Sequence, residues 1–118
     1  MTGLRFRRGD IWTVDLAPGT GSAPDQICFA LIVQNDIGNL YSPELILAAL
    51  IPGEKARYDV QVEIKAPEGG LLQDSLVLLN RIYVVGKERM GRYCGHLSAW
   101  TMQQVDDAIK ISLGLAPL

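Results

Sequence analysis

The chain has 118 residues, 48% of them hydrophobic, and a net charge of -2 at pH 7, with a pI of about 5.3. That is enough for one domain with a real core, and too apolar for a disordered chain. The balance excludes the strongly basic surface of a protein that lives on nucleic acid, although Arg5, Arg7 and Arg8 form a local basic cluster.

One domain over residues 1–118 is expected, because no repeat, linker or low-complexity segment divides the chain. Met1 to Asp10 lacks the apolar h-region of a secretory signal. The longest apolar run, Leu45 to Ile51, is too short to span a bilayer. A cytoplasmic protein with Cys28 and Cys94 reduced is therefore expected, with a single disulfide as the alternative.

In chain order, Asp10 to Leu16 alternates. Trp12, Val14 and Leu16 share one face and Ile11, Thr13 and Asp15 the other, which predicts a half-buried strand. Ala17 to Asp25 holds too much Pro and Gly for helix or ladder and reads as a loop, either a lid or a long hairpin connection. Ile27 to Val33 is an apolar strand running into Gln34-Asn35-Asp36 and an Ile37-Gly38-Asn39 turn. Gln34, Asn35 and Asp36 could bind a ligand or organise that turn through side-chain-to-backbone bonds.

Leu45 to Ile51 is apolar on both faces and must be covered on both. The outer cover is either the C-terminal helix or a second subunit. Val60, Val62 and Ile64 alternate with polar residues as a further half-exposed strand, and Gly69-Gly70 is a turn. Leu76 to Leu79 and Ile82 to Val85 read as two strands separated by Asn80-Arg81. Last comes a helix with Ser98 as N-cap, a stripe of Met102, Val105, Ile109 and Leu113, and a stop at Gly114 and Pro117. Short strands followed by one terminal helix predict a mainly β fold: a small, partly closed barrel with a capping helix.

Individual residues suggest little independent chemistry. Cys28 with His96 as base would make a thiol nucleophile, but a cysteine between Ile27 and Phe29 in a strand is an inert small hydrophobe. One histidine and two distant cysteines have no metal-ligand spacing, so no metal and no cofactor are expected. Asp106 and Asp107 read as a solvated helix face. Trp12 reads as core, and Trp100, off the helix stripe, as a dimer or partner contact.

Four blocks carry a resemblance. They are Arg8-Gly9-Asp10-Ile11-Trp12, the stretch Leu31 to Pro43 containing Gln34-Asn35-Asp36-Ile37-Gly38-Asn39, Gly70-Leu71-Leu72-Gln73-Asp74-Ser75 leading into Leu76 to Ile82, and Gly95-His96-Leu97-Ser98 with the helix to Leu115. In this order they resemble the MazF/PemK toxins of bacterial type II toxin–antitoxin modules. The resemblance implies an SH3-like barrel, a symmetric homodimer and a cognate antitoxin whose tail lies across the active face. It also implies metal-independent, sequence-specific cleavage of single-stranded RNA, in which the ribose 2′-OH attacks its own phosphate.

That reaction needs a base, an acid and fixed donors for the phosphoryl oxygens. Similar family members use an arginine ahead of the Gln-Asn-Asp strand and a threonine ending the next strand. Read residue by residue, the arginine position holds Cys28, its following proline is Phe29, and the threonine position holds Ile51. A thiol cannot clamp phosphate as a guanidinium fork does, and isoleucine has no proton to give or take. The loop before Cys28 reads Ala23-Pro24-Asp25-Gln26 and lacks the glycine pair usual there.

The expectation is thus a toxin-family scaffold with weak or no cleavage. RNA- or antitoxin-contacting residues are placed by the resemblance at Gly21, Ser22, Gln34, Asn35, Asn80 and Arg81. The alternative is an active RNA-cleaving toxin. A gyrase poison like CcdB, which shares the barrel, ranks last because the chain ends without the C-terminal tryptophan such toxins use.

Overall fold

A computed structural model describes residues 5–16 and 27–117. Strand β1 covers Asp10–Asp15, β2 Ile27–Ile32, β3 Glu44–Pro52, β4 Gln61–Ile64, β5 Ser75–Gly86 and β6 Met90–His96. Helix α1 spans Asp36–Tyr41 and α2 Ala99–Ser112. The strands form one sheet in the order β4-β5-β3-β2-β1-β6, with every pairing antiparallel. Among the described residues no helix is long and apolar enough to cross a membrane.

The sheet curls but does not close through hydrogen bonds; β4 and β6 remain its edges. The gap is bridged by the 3-10 turn Glu68–Gly70, whose backbone lies on β6. A Cβ at Gly70 would stand 1.9 Å from the Cys94 carbonyl oxygen, and one at Gly95 would stand 2.3 Å from the Gly69 carbonyl carbon. Gly69 and Gly70 also hold φ of 67° and 74°, a region L side chains avoid. Backbone thus packs on backbone here, and only glycines allow it.

Two apolar clusters fill the two faces. Ile11, Leu31, Ala48, Leu50, Val77, Leu79 and Leu97 meet Val105 and Ala108 of α2. Phe6, Trp12, Val14, Ala30, Ile32, Leu45, Leu47, Val85 and Met90 make the second. Strand β3 therefore sends Ala48 and Leu50 to one cluster and Leu45 and Leu47 to the other. The helix covers one face of this strand, as expected. The other is covered by Phe6, Trp12 and Met90 of the same chain. Each fully buried Leu or Ile contributes about 1.5–3 kcal/mol.

Other expectations are corrected in detail. Ile11 is fully buried rather than on a half-exposed face, because the curled sheet gives β1 a core on each side. The Ile37-Gly38-Asn39 segment is part of a helical turn and a half, with Asn35 as its N-cap accepting from Gly38 N–H at 2.8 Å. The two strands expected over 76–85 are one strand, β5, bent in the middle. Its register with β3 jumps from Ala49↔Leu78 to Ala48↔Ile82, leaving Leu79, Asn80 and Arg81 opposite no partner residue. Strand β6 carried no alternation and was not expected.

Helix α2 begins as expected: the Ser98 hydroxyl accepts from Thr101 N–H at 3.2 Å. It ends in a Schellman motif, with Leu115 N–H on Lys110 O at 2.7 Å, Gly114 N–H on Ile111 O at 3.1 Å, and Gly114 at φ 77°. Val105 is fully buried, and Met102 and Ile109 pack on the core beside it. Leu113 is exposed instead of completing the stripe, because it caps the helix where the chain turns away.

Candidate functional site

Strands β2 and β3 pair as Ala30↔Ala49, Leu31↔Ala48 and Ile32↔Leu47. Continued by two residues, this register sets Cys28 opposite Ile51. The pairing itself ends at Ala30↔Ala49, so the positions the family resemblance reads as arginine and threonine lie on neighbouring strands just beyond it. Cys28 is half-buried and pairs with Val14 on its other side. It lies within electrostatic reach of Tyr83, whose hydroxyl pKa is pushed up to about 12, first by burial and second by the Cys28 charge. Cys28 itself thus neighbours Val14 and the Tyr83 phenol.

His96 is not placed to serve the Cys28 thiol as a base. His96 Nδ1 lies 2.7 Å from Asp10 Oδ1, at the far end of β1. Asp10 and Val14, which pair with His96 and Cys28 respectively, are four residues apart, about 13 Å along a strand. That is far beyond hydrogen-bond reach. Both cysteines are free thiols, and burial first of all raises the Cys94 pKa, against a smaller lowering by Arg92.

Ile51 lines a surface recess of about 340 Å³ with Leu76 and Leu78 as further apolar wall. Its polar rim comes from the loop after β3, which contributes Glu54, Lys55, Arg57 and Tyr58, and from Gln61 and Arg81. A second recess, of about 590 Å³, holds Asn80 and shares Arg57 and Tyr58 with the first. Tyr58, 67% exposed, is therefore a ridge between them. The loop is held at its base by Arg57 N–H on Gln61 Oε1 at 2.8 Å and Ala56 N–H on Glu63 Oε2 at 3.2 Å. Asn80 and Arg81 are exposed at the β5 bend, which explains why the chain spends two polar residues between apolar runs.

Lys55, Arg57 and Tyr58 were not singled out from the sequence. The available signal was a basic and aromatic cluster in a Gly-bounded loop.

Gln34 and Asn35 stand apart from this recess, in the α1 turn. Gln34 Nε2 donates to Asn39 Oδ1 at 3.1 Å and to Glu44 O at 3.0 Å. Asn39 Nδ2 donates to Gln34 O at 2.9 Å and Asp36 Oδ1 at 3.1 Å, and Lys87 Nζ donates to Asn39 O. The Gln-Asn-Asp motif thus builds the turn. Gly21, Ser22 and the whole Ala17 to Asp25 loop lie outside the described residues.

The opposite end of the sheet gathers the other polar groups. Asp10, almost fully buried, accepts from Arg7 N–H at 3.0 Å and Trp12 Nε1 at 3.3 Å as well as pairing with His96. Glu68 accepts from Ser98 N–H at 2.9 Å and from the Thr101 hydroxyl at 2.9 Å, tying the 3-10 turn to the start of α2. Partial burial pushes the Glu68 pKa up, but those hydrogen bonds outweigh it and hold it below its ordinary value.

Arg8 donates through Nε to Val33 O at 2.8 Å and sets Nη2 2.8 Å from Asp106 Oδ1, a charge pair not aligned as a hydrogen bond. Asp106 is thus half-buried and paired with Arg8, whereas Asp107 is exposed and accepts from Gln103. Among the described residues no three His, Cys, Asp or Glu side chains come together as metal ligands.

Comparison with known proteins agrees with this architecture. Residues 7–113 match the family described as PemK-like, MazF-like toxin of type II toxin-antitoxin system. The chain is 40% identical over 110 residues to the endoribonuclease EndoA of Bacillus subtilis, covering 92% of this chain and 95% of that one. It is 42% identical over 111 residues to the endoribonuclease MazF of Staphylococcus epidermidis, covering 93% and 92%.

Among solved structures, a mycobacterial endoribonuclease in complex with its cognate antitoxin has the same fold. It has a TM-score of 0.79 at 23% identity, over 96% of this chain and 99% of that one. MazE–MazF from Deinococcus radiodurans gives 0.77 at 14% identity, over 98% and 100%. A match over almost the whole length, in the same open antiparallel sheet with its terminal helix, makes this chain a member of the PemK/MazF toxin family.

Proposed function

We propose that this chain is a toxin-family protein of a toxin–antitoxin module whose RNA cleavage is weak or absent. It would act as one domain, as a cytoplasmic homodimer, with a cognate antitoxin as partner. The observation that carries the reading is residue identity: Cys28 on β2 and Ile51 on β3, the two positions that the resemblance assigns to catalysis, hold side chains unable to do it. Losing one preorganised donor costs about 10²–10³ in rate, and losses within one catalytic unit do not simply multiply. The antitoxin partnership is supported by the mycobacterial and Deinococcus relatives, whose structures hold the antitoxin. Exposed Trp100, with Ile37 and Tyr41 on α1, offers apolar surface for such contacts.

The test is purified protein incubated with a long single-stranded RNA and no metal, with ends mapped by primer extension. No sequence-specific cuts are expected from the natural chain, and the double change Cys28→Arg with Ile51→Thr is expected to gain them. Specific cuts by the natural chain sink the reading. The second reading, an active ribonuclease, is favoured by the 40% and 42% identity to curated endoribonucleases. It requires catalytic groups other than Cys28 and Ile51.

A further inference from the structure

We propose that His96 is a phosphoryl-acceptor site. Its Nε2 takes a phosphoryl group from an N-phosphoryl donor, Asp10 holds the ring, and Arg7 draws the anionic donor in. The site lies at the other end of β1 from Cys28, and it does not depend on whether RNA is cut.

The two oxygens of Asp10 have separate tasks. The side chain is 2% exposed. Its Oδ2 accepts from Arg7 N–H at 3.0 Å and Trp12 Nε1 at 3.3 Å, which serves the fold. Its Oδ1 lies 2.7 Å from His96 Nδ1. A carboxylate only accepts, so Nδ1 carries the proton, and the lone pair of the uncharged ring falls on Nε2. The ring is seated on bare backbone: a Cβ at Gly9 would stand 3.0 Å from its Cε1 and 3.4 Å from its Nε2. The His96 side chain is 36% exposed, and among the described residues no hydrogen bond engages Nε2.

A ring held through one nitrogen by a buried carboxylate, with the other nitrogen at the surface, is arranged as a nucleophile. Attack by Nε2 on phosphorus forms a new N–P bond as the donor's own N–P bond breaks. The donor nitrogen, already protonated, leaves with the electron pair as an amine or ammonia, and nothing is oxidised or reduced. The Nδ1 proton stays in place, so the product ring is positively charged, and the Asp10 carboxylate offsets that charge. Arg7 selects the donor class. Its Nε is 3.7 Å from the same Oδ1 and its side chain is 50% exposed, so a guanidinium stands beside the pair. That favours an anionic phosphoryl donor over an uncharged acyl donor.

His96 is the one histidine of the chain, which makes the test clean. The full chain is incubated with phosphoramidate, and intact mass with peptide mapping follows the product. One phosphoryl group on His96 is expected, labile to acid and stable to base, gained faster than by an unstructured peptide with one histidine. Asp10→Asn should slow the gain about ten-fold or more. Two N–H groups hold the amide oxygen at the Oδ2 position, so the amide nitrogen donates to Nδ1 and moves the ring proton to Nε2. Arg7→Gln keeps the backbone bond to Asp10. It should slow the reaction with phosphoramidate but not that with diethyl pyrocarbonate, an uncharged reagent for the same nitrogen. Circular dichroism melts show whether the variants fold. Nitrogen NMR of the natural chain needs no variant, and should find the proton of the uncharged ring on Nδ1. A proton on Nε2, a gain no faster than that of the peptide, equal rates in a folded Asp10→Asn, or an unchanged phosphoramidate rate in Arg7→Gln would each overturn the proposal.

Discussion

The two ends of the sheet use polar and small residues for opposite purposes. At the closure end, Asp10, Glu68 and Ser98 are paired inside the chain, and Gly69, Gly70 and Gly95 let backbone lie on backbone. At the recess end, Lys55, Arg57, Arg81 and Tyr58 project from a loop and a strand bend around an apolar wall. The first arrangement lowers the free energy of the fold. The second leaves charge and aromatic surface for something outside it. Stability and recognition are thus separated in space, and substitutions at the two ends should separate them by experiment.

The largest effect is expected at the closure. Gly70→Ala must move the Cys94 carbonyl and also adopt a φ of 74°, so a loss of about 3 kcal/mol or more is expected in urea denaturation. A loss under about 1 kcal/mol would mean that the bridge over the β4–β6 gap is loose.

A smaller effect is expected at Glu68. Glu68→Gln keeps the shape but weakens the acceptor for Ser98 N–H and Thr101, costing about 1 kcal/mol at neutral pH because water reaches the site. Its pH dependence has a definite sign. The folded pKa lies below the ordinary 4.5, so folding favours the ionised carboxylate. That contribution is complete above the unfolded pKa and disappears as pH falls through the lower folded one. The stability gap between the natural chain and Glu68→Gln should therefore narrow on acidification below about 4.5. A gap that widened would assign the stabilisation to another group.

The smallest effect is expected in the recess. Lys55→Ala and Arg81→Gln should change stability by less than about 0.5 kcal/mol. A larger loss from either would show that the recess serves the fold, and would blur the division between the two ends.

Much of the fold was legible in local pattern. The Ser98 cap, the Gly114 stop and the buried Val105 follow from short-range hydrogen bonding and a 3.6-residue period, both written in adjacent residues. The doubly apolar β3 was legible as a strand needing two covers. Its second cover was not, because Phe6, Trp12 and Met90 reach it only through the curl of the sheet. Strand β6 escaped notice because Gly91 and Gly95 interrupt any alternation. Their value lies in close approaches, to Thr13 for Gly91 and to the 3-10 turn for Gly95, that no local rule shows.

The candidate site divides in the same way. Residue identity at Cys28 and Ile51, read through the family resemblance, already implied a chemistry without a guanidinium or a hydroxyl. The sequence could also establish the strands, the terminal helix and its caps, since each depends on neighbours within a few residues. Only the tertiary structure decided that Gln34 and Asn35 are engaged in building a turn, and that Arg81 joins Lys55, Arg57 and Tyr58 around one recess. Those meetings depend on strand register and on a three-residue jump in β5. A side-chain period of two cannot reveal which strand lies alongside which, or where a strand bends to bring distant charges together.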